Sequence, residues 1–266
     1  MGTRIAIDNP DDDRLGVFRL RERGLTNRAD KRDDTGAGMF LAEGDLVVTR
    51  AYEAGCVPVA ALADADRVPA IADLLDCAVY VGGDAVRAMV TGLGMPHPIV
   101  AVFERPGRPS ASALLARSHR LVVAERVDNP ANIGGIVRNA AGLGWDGLLL
   151  DATSADPLSR RALRVAMGTA FALPHARTRD LVDVLSDLGD AIDLLALTPD
   201  NNVPAIDDVA ATLDPRRPRA VLIGAERSGL SEALLACARP VRIPMAAGVD
   251  SLNAAAASAV ACHVLR

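Results

Sequence analysis

The sequence predicts an α/β protein in which a small N-terminal α/β unit precedes a larger C-terminal unit built on a parallel sheet. Two observations predict this class. Apolar runs of strand length recur along the chain, and the segments between them have the apolar spacing of helices. In the C-terminal half the two kinds of segment alternate regularly, which is typical of a parallel sheet covered by helices on both faces.

The N-terminal unit is predicted from residues 40–103. Amphipathic helices are expected over 68–75 and 84–93, and buried strands over VPVAAL, CAVYV and PIVAVF. The stretch ERPGRPSAS that follows is rich in Pro, Gly and Ser, which favours a linker. We therefore expect a first domain over 1–104, a linker over 105–118 and a second domain over 119–266.

The second domain contains five strand-like runs, which are RLVVAE, GLLLD, DLLALT, AVLIGAE and PVRIP. Helices are expected over 132–142, 157–170, 180–189, 231–238 and 252–265. Parallel α/β sheets bind ligands beyond the carboxyl ends of their strands. The turns in which a ligand site is expected are therefore NPANIGG, the region around TPD, GAERSGLS and IPMAAGVDSLN.

Composition limits the kinds of function that the chain can have. No apolar stretch of 18 residues occurs and the first residues are polar, so a cytoplasmic protein that does not enter a membrane is expected. The four scattered cysteines are expected to be free thiols. A net charge of −5 argues mildly against a non-specific nucleic-acid coat, although basic residues cluster over 19–32 and at Arg160, Arg161 and Arg164. Aromatic residues are too few to suggest base-stacking platforms.

Several familiar catalytic signatures are absent from the sequence. It has no G-x-G-x-x-G after a strand, no P-loop, no G-x-S-x-G and no H-E-x-x-H, and its four histidines lie outside the expected ligand turns. We therefore expect no metal site.

Five polar residues are delivered by the expected ligand turns, and they are Asn132, Arg138, Glu226, Ser251 and Asn253. Each allows a purely structural interpretation. Asn132 and Ser251 could cap helices, Glu226 could interact with a helix dipole, and Arg138 could be a solvated helix residue. All five fall at one end of the sheet, however, which favours a shared site.

Three motifs then occur in order: DNPANIGGIVRNAAGLG, LIGAERSGLS and IPMAAGVDSLNAAAASAV. They closely resemble the motifs of the SpoU-type RNA ribose 2′-O-methyltransferases, which belong to the knotted SPOUT class and use S-adenosylmethionine. This resemblance covers about 119–266. The N-terminal half, with FLAEGDLVVTRAYEAG, looks like the L30e-like substrate-binding domain of the same family. One departure is Ala254 after SLN, where the family commonly has Val.

The resemblance implies a trefoil knot, a homodimer and an RNA substrate, with ribosomal RNA favoured over transfer RNA. It places the five polar residues at catalytic positions of the family. It also implies that backbone and apolar groups form the cofactor pocket, at Leu197, Thr198, Gly224, Ile243, Met245 and Leu252. The N-terminal half, with its arginine-rich stretch over 19–32, is expected to recognise RNA.

The role of Arg138 stays open between two alternatives. A guanidinium is effectively always protonated, which favours a clamp on the target phosphate over a general base. Glu226 is then expected to orient the guanidinium, while Asn132, Ser251 and Asn253 order the ribose.

Other possible functions are a transfer-RNA methyltransferase, a non-catalytic RNA-binding relative, and a small-molecule enzyme with a nucleotide cofactor.

Overall fold

The computed structural model describes residues 3–26, 36–92 and 97–266, and the chain forms two compact units. The first unit comprises residues 1–107 together with 158–171, and the second unit comprises 108–157 and 172–266. The main boundary therefore lies close to the predicted end of the first domain. The segment 158–171 differs from the prediction, because it was expected to belong entirely to the second domain.

The secondary structure alternates along the chain as the sequence suggests. The strands are β1 (Arg4–Ala6), β2 (Met39–Glu43), β3 (Pro58–Asp64), β4 (Ala78–Gly82), β5 (Ile99–Glu104), β6 (Arg120–Ala124), β7 (Gly147–Leu150), β8 (His175–Arg177), β9 (Asp193–Leu197), β10 (Arg219–Ile223) and β11 (Arg239–Val241). The helices are α1 (Glu22–Leu25), α2 (Asp45–Glu53), α3 (Asp84–Thr91), α4 (Ala111–Leu115), α5 (Pro130–Gly142), α6 (Arg160–Ala166), α7 (Leu181–Ser186), α8 (Ile206–Ala210), α9 (Glu232–Ala236) and α10 (Ala254–Val264).

The first unit is built on a mixed five-stranded sheet with the order β1-β4-β3-β5-β2. β1, β4 and β3 are parallel, whereas β5 runs antiparallel to both β3 and β2. The expected strands CAVYV and PIVAVF are present as β4 and β5. The helix expected over 68–75 is only a short 3₁₀ turn over Ala70–Asp73, which begins directly after its N-cap, Pro69.

The segment 158–171 completes the core of the first unit. Phe171 packs against Phe40 with ring centroids 5.3 Å apart, and Phe40 in turn stacks on Phe103. In α6, Arg160 donates from Nε to Oε1 of the buried Glu43 at 3.0 Å, and Arg164 pairs with the other carboxylate oxygen at 3.1 Å. These two arginines are thus ion-paired to a buried acid. A buried carboxylate that loses such partners is strongly destabilising, so this segment is an integral part of the unit.

The second unit contains a six-stranded sheet with the order β11-β9-β10-β6-β7-β8, in which every pairing is parallel. This confirms the predicted parallel sheet. The chain runs outward from β6 through β7 to β8 and then continues on the other side of β6 with β9, β10 and β11. The direction of winding therefore reverses between β6 and β10, and such a reversal opens a crevice at the carboxyl ends of the strands.

Two short elements of the second unit, β8 and α8, were not anticipated from the sequence. β8 is a three-residue edge strand with a polar composition, and α8 has only five residues, so neither produces a clear hydrophobic period. The predicted linker also contains α4, whose Leu114 is fully buried in the core of this unit. Ser110 caps α4 by accepting from the N–H of Ala113. This cap and the burial of Leu114 make the end of the predicted linker ordered structure.

Candidate active site

A cavity of about 440 Å³ lies at the carboxyl ends of the central strands of the second unit. Its lining includes all six residues that the resemblance assigns to the cofactor, namely Leu197, Thr198, Gly224, Ile243, Met245 and Leu252. Glu226 and Ser251 also line it. The volume falls within the ordinary range for small-molecule sites in proteins. The structure therefore gathers residues from three of the four expected ligand turns at one cavity.

Gly224 is needed where the chain leaves β10. The loop that follows turns back on itself, since the N–H of Gly229 donates to the carbonyl of Ala225 at 2.9 Å. A Cβ atom on Gly224 would lie 2.2 Å from the carbonyl carbon of Gly229 and 2.3 Å from the nitrogen of Leu230. Because both of these are backbone atoms, no side-chain rotation can relieve the overlap. Glycine at this position thus allows the loop to close beside the cavity.

Three of the five predicted polar residues form one hydrogen-bonded cluster. The Nδ2 of Asn132 donates to Oε1 of Glu226 at 2.8 Å. The Nδ2 of Asn253 donates to Oδ1 of Asn132 at 2.9 Å and to Oε1 of Glu226 at 2.6 Å. Asn132 is only 5% exposed, so its amide depends on these partners. The three residues come from α5, the loop after β10 and the start of α10.

Asn253 also fixes the orientation of this cluster. Its Oδ1 accepts from the backbone N–H groups of Ala255 and Ala256 at 2.9 and 3.3 Å, so it is the N-cap of α10. The capping oxygen faces the helix, and the amide nitrogen must therefore face Asn132 and Glu226. The N-cap of α5 is Asn129, which accepts from the N–H of Ala131. The alternative that Asn132 and Ser251 are helix caps is therefore wrong.

Arg138 lies in α5, six residues beyond Asn132, and it is exposed. Six residues correspond to a rise of about 9 Å along the helix. At 3.6 residues per turn, Arg138 also lies on a different face of α5 from Asn132. Oε1 of Glu226 is held by the two asparagines, and the expectation that Glu226 orients the guanidinium stays a prediction. Ser251 is exposed at the edge of the cavity.

The helix that carries Asn253 packs closely on the helix that carries Asn132. A Cβ atom on Gly135 would lie 2.5 Å from the Cβ of Ala255, so the two helices meet where neither has a large side chain. Asn139 donates from Nδ2 to the carbonyl of Ala255 at 2.7 Å and to Oγ of Ser258 at 2.9 Å. Gly135, Asn139 and Ser258 are positioning residues that were not predicted from the sequence. The one available signal was their spacing along two small-residue helices.

A buried acid, Asp151, braces the loop that leads into α5. It follows β7, and its side chain accepts from the N–H groups of Arg126, Thr153 and Ser154 and from the hydroxyls of Thr153 and Ser154. Burial by itself raises the pKa of Asp151, but these hydrogen bonds outweigh it and hold the pKa below its ordinary value of 3.8. Ser154 also accepts from the N–H of Val127 at 3.0 Å. The two neighbouring loops are thereby joined.

The basic residues noted in the sequence differ in their surroundings. Arg160 and Arg164 form ion pairs with Glu43, as described above. Arg21 and Arg23 are exposed in the first unit, whereas Arg28, Lys31 and Arg32 lie outside the described residues.

The described ranges also bear on the other expected features. Within them no group of three potential metal-binding side chains occurs, and no helix combines the length and apolarity that membrane crossing requires. The four cysteines are free thiols, of which Cys56 and Cys262 are buried.

Comparison with known proteins shows the family to which the chain belongs. Residues 119–263 match the model of the SpoU rRNA Methylase family. The chain is 37% identical, over 97% of its length and 90% of the relative's, to an uncharacterized tRNA/rRNA methyltransferase of Mycobacterium tuberculosis. It is 27% identical to the 23S rRNA (guanosine(2553)-2′-O)-methyltransferase of Bacillus subtilis, with 89% of this chain and 92% of the relative covered.

A solved structure of similar fold is the AdoMet-bound rRNA methyltransferase from Sinorhizobium meliloti. It superposes with a TM-score of 0.80 at 26% identity and covers 99% of this chain and 97% of its own. The similarity thus extends over both units and is not confined to the region of the three motifs.

Proposed function

Because this chain belongs to the SpoU rRNA methylase family, we propose that it methylates a ribose 2′-hydroxyl of ribosomal RNA with S-adenosylmethionine as methyl donor. One observation carries the proposal. Asn132, Glu226 and Asn253 converge on each other beside a cavity whose lining contains all six residues assigned to the cofactor. We propose ribosomal RNA rather than transfer RNA as the substrate, because the similar protein of Bacillus subtilis is named a 23S rRNA methyltransferase.

The cavity suits S-adenosylmethionine in size and in chemistry. Leu197, Ile243 and Leu252 supply apolar wall, and the close turn at Gly224 brings backbone groups to the edge of the cavity. Adenine needs this combination of an apolar slot and edge hydrogen bonds more than it needs charge. When bound, the cofactor supplies a methyl group on a sulfonium that is already a good leaving group. The protein must then place the attacking oxygen and help to remove its proton.

The polar cluster is proposed to order the target ribose. Glu226 and the cap of α10 hold Asn132 and Asn253 in defined amide orientations. Rigid groups of this kind stabilise a transition state without reorganising during the reaction. Ser251, at the edge of the cavity, is proposed to contact the same ribose. Arg138 is proposed to hold the target phosphate. Its permanent positive charge beside the 2′-hydroxyl would favour loss of the hydroxyl proton.

The proposal extends to topology, assembly, location and RNA recognition. A trefoil knot in the second unit is proposed from membership of the family. A homodimer and a cytoplasmic location follow from family membership. RNA recognition by the first unit is supported by its exposed arginines, among them Arg21 and Arg23.

The proposal is tested by methyl transfer from tritiated S-adenosylmethionine to protein-free ribosomal RNA and, in parallel, to bulk transfer RNA. A 2′-O-methyl group removes the nucleophile of alkaline cleavage, so the label should remain in alkali-resistant dinucleotides of ribosomal RNA. Label in mononucleotides would indicate base methylation. Binding of ribosomal RNA without any transfer would favour the non-catalytic relative.

A further inference from the structure

Arg126 has an unusual backbone for its residue type. It lies in the loop between β6 and α5, and its φ of +56° places it in the left-handed region, which bulky L-residues rarely adopt. Asp151 holds it there, because its Oδ1 accepts from the N–H of Arg126 at 3.0 Å. Left-handed residues that are not glycine are often retained for a functional reason. Glycine would fit this backbone without strain, so the reason for arginine must lie in its side chain.

The side chain of Arg126 reaches the rim of the cofactor cavity. Its Nη2 lies 3.3 Å from the carbonyl oxygen of Gly229, which lines the cavity, and 3.4 Å from Oε2 of Glu125. Oε2 of Glu125 already accepts from the N–H of Ser231 at 2.7 Å. Both contacts of the guanidinium are long, and the side chain of Arg126 is 42% exposed. An exposed ion pair of this kind contributes little to stability.

The charge of Arg126 has a clear use at this place. Glu226, Asp250 and Arg227 line the cavity, so an anionic polynucleotide that approaches it meets carboxylates that repel it as well as a guanidinium. A guanidinium at the rim offsets this repulsion, and its planar set of five N–H donors matches phosphate oxygens. Within the described part of the chain both of these contacts engage Nη2, which leaves the exposed part of the fork available to a ligand.

We propose that Arg126 binds a phosphodiester of the RNA strand that carries the target ribose, as a second arginine contact in addition to Arg138. This inference rests on the proposed function. It differs from a structural role, in which Arg126 would only join the loop after β6 to the loop after β10 through Gly229.

The left-handed backbone provides a clean variant. Arg126→Gly removes the side chain and relieves the backbone, so the protein should fold at least as stably as the wild type. Arg126→Gln removes only the charge. The matched control is Arg216→Gln, which removes the same charge from an exposed residue that precedes the amino end of β10, whereas the cavity lies at the carboxyl ends of the strands.

The experiment measures binding of protein-free ribosomal RNA by the full chain over a series of salt concentrations, together with titration of S-adenosylmethionine. Both Arg126 variants should bind RNA more weakly, and the slope of log K against log salt should shrink by about 0.7 to 0.9 for one lost phosphate contact. Cofactor affinity and the melting temperature should not fall. The Arg216→Gln control should keep the wild-type slope.

An unchanged slope in Arg126→Gly would overturn the inference, and weaker cofactor binding with an unchanged slope would show that Arg126 only supports the cofactor loop. Failure of the two proposals is distinguishable. If the wild type transfers no methyl group to ribosomal RNA, the proposed function fails and this inference fails with it. If the wild type is active and the variants keep the wild-type slope, only the inference fails.

Discussion

Replacement of Asn253 by Asp should lower activity about a hundredfold while it preserves the helix cap. In the native protein the two atoms of the amide have separate tasks. Oδ1 accepts from the N–H groups of Ala255 and Ala256, and Nδ2 donates to Asn132 and Glu226. Aspartate keeps an oxygen for the cap and exchanges the donor for a charged acceptor. Serine keeps only the capping oxygen, and alanine loses both functions.

The magnitude follows from these contacts. The bond to Oε1 of Glu226 is 2.6 Å long and involves a carboxylate, a class that contributes about 1.5 to 3 kcal/mol. The bond to Asn132 is a neutral one, and such bonds contribute about 1 kcal/mol. Aspartate also adds repulsion between two carboxylates, which solvent screens at this exposed position. We expect the free-energy barrier to methyl transfer to rise by about 3 kcal/mol or more, which lowers the rate about a hundredfold. Loss of the cap in Asn253→Ala should cost a further 1 kcal/mol or so of folding stability relative to Asn253→Ser.

The assay combines single-turnover methyl transfer to ribosomal RNA, cofactor titration and urea unfolding. All three variants lack the Nδ2 donor, so all three should transfer methyl groups more slowly than the wild type. Asn253→Asp should be the slowest of them, because it also adds a negative charge. Stability should distinguish Ser from Ala, because only Ser keeps the cap. Near-normal transfer by Asn253→Asp would refute the reasoning, since the donor would then have no role in ordering the ribose.

Three further predictions concern separate parts of the site. Arg138→Ala should lower the rate of single-turnover methyl transfer about a hundredfold, which corresponds to about 3 kcal/mol, and it should leave cofactor affinity unchanged. Arg138→Lys should restore little of the lost rate. Normal transfer by the alanine variant would show that Arg138 is only a solvated helix residue. Gly224→Ala should abolish cofactor binding in calorimetry, because the new Cβ lies 2.2 Å from a backbone carbon, whereas Gly142→Ala meets open space and should be neutral or stabilising. Asp151→Asn should destabilise the fold by about 2 to 3 kcal/mol at pH 7. Because the folded-state pKa of Asp151 is depressed, its contribution is complete above 3.8 and is lost as the pH falls toward the folded value. The gap in urea unfolding between wild type and variant should therefore narrow below pH 3.8, and a gap that does not change with pH would contradict this cause.

Much of the second unit could be predicted from the sequence, because its buried strands form continuous apolar runs. The same regularity identified the turns at their carboxyl ends, and all six expected cofactor residues line one cavity there. Helix caps were harder to predict. Asn129 and Asn253 are the caps, and sequence alone could not separate them from Asn132 and Ser251, since periodicity does not fix the residue at which a helix begins.

The location of 158–171 could not be predicted for a different reason. The apolar residues of this segment show that it has a buried face, but periodicity does not say which core receives that face. In the same way the sequence gives Arg160 and Arg164 the pattern of surface charge, because it does not show that both form ion pairs with Glu43, which is 4% exposed. One practical consequence is that deletion of 1–104 would leave this segment without its core. RNA recognition by the first unit is better tested with charge variants of Arg21 and Arg23 in the full chain.

The most direct test of the central claim is a map of ribose methylation in ribosomal RNA, made at nucleotide resolution. Three strains are compared: one with the native gene, one without it, and one that expresses Asn253→Asp at the native level. We predict that a 2′-O-methylated nucleotide is lost without the gene and is not restored by the variant. Identical maps of ribosomal RNA from all three strains would contradict the account.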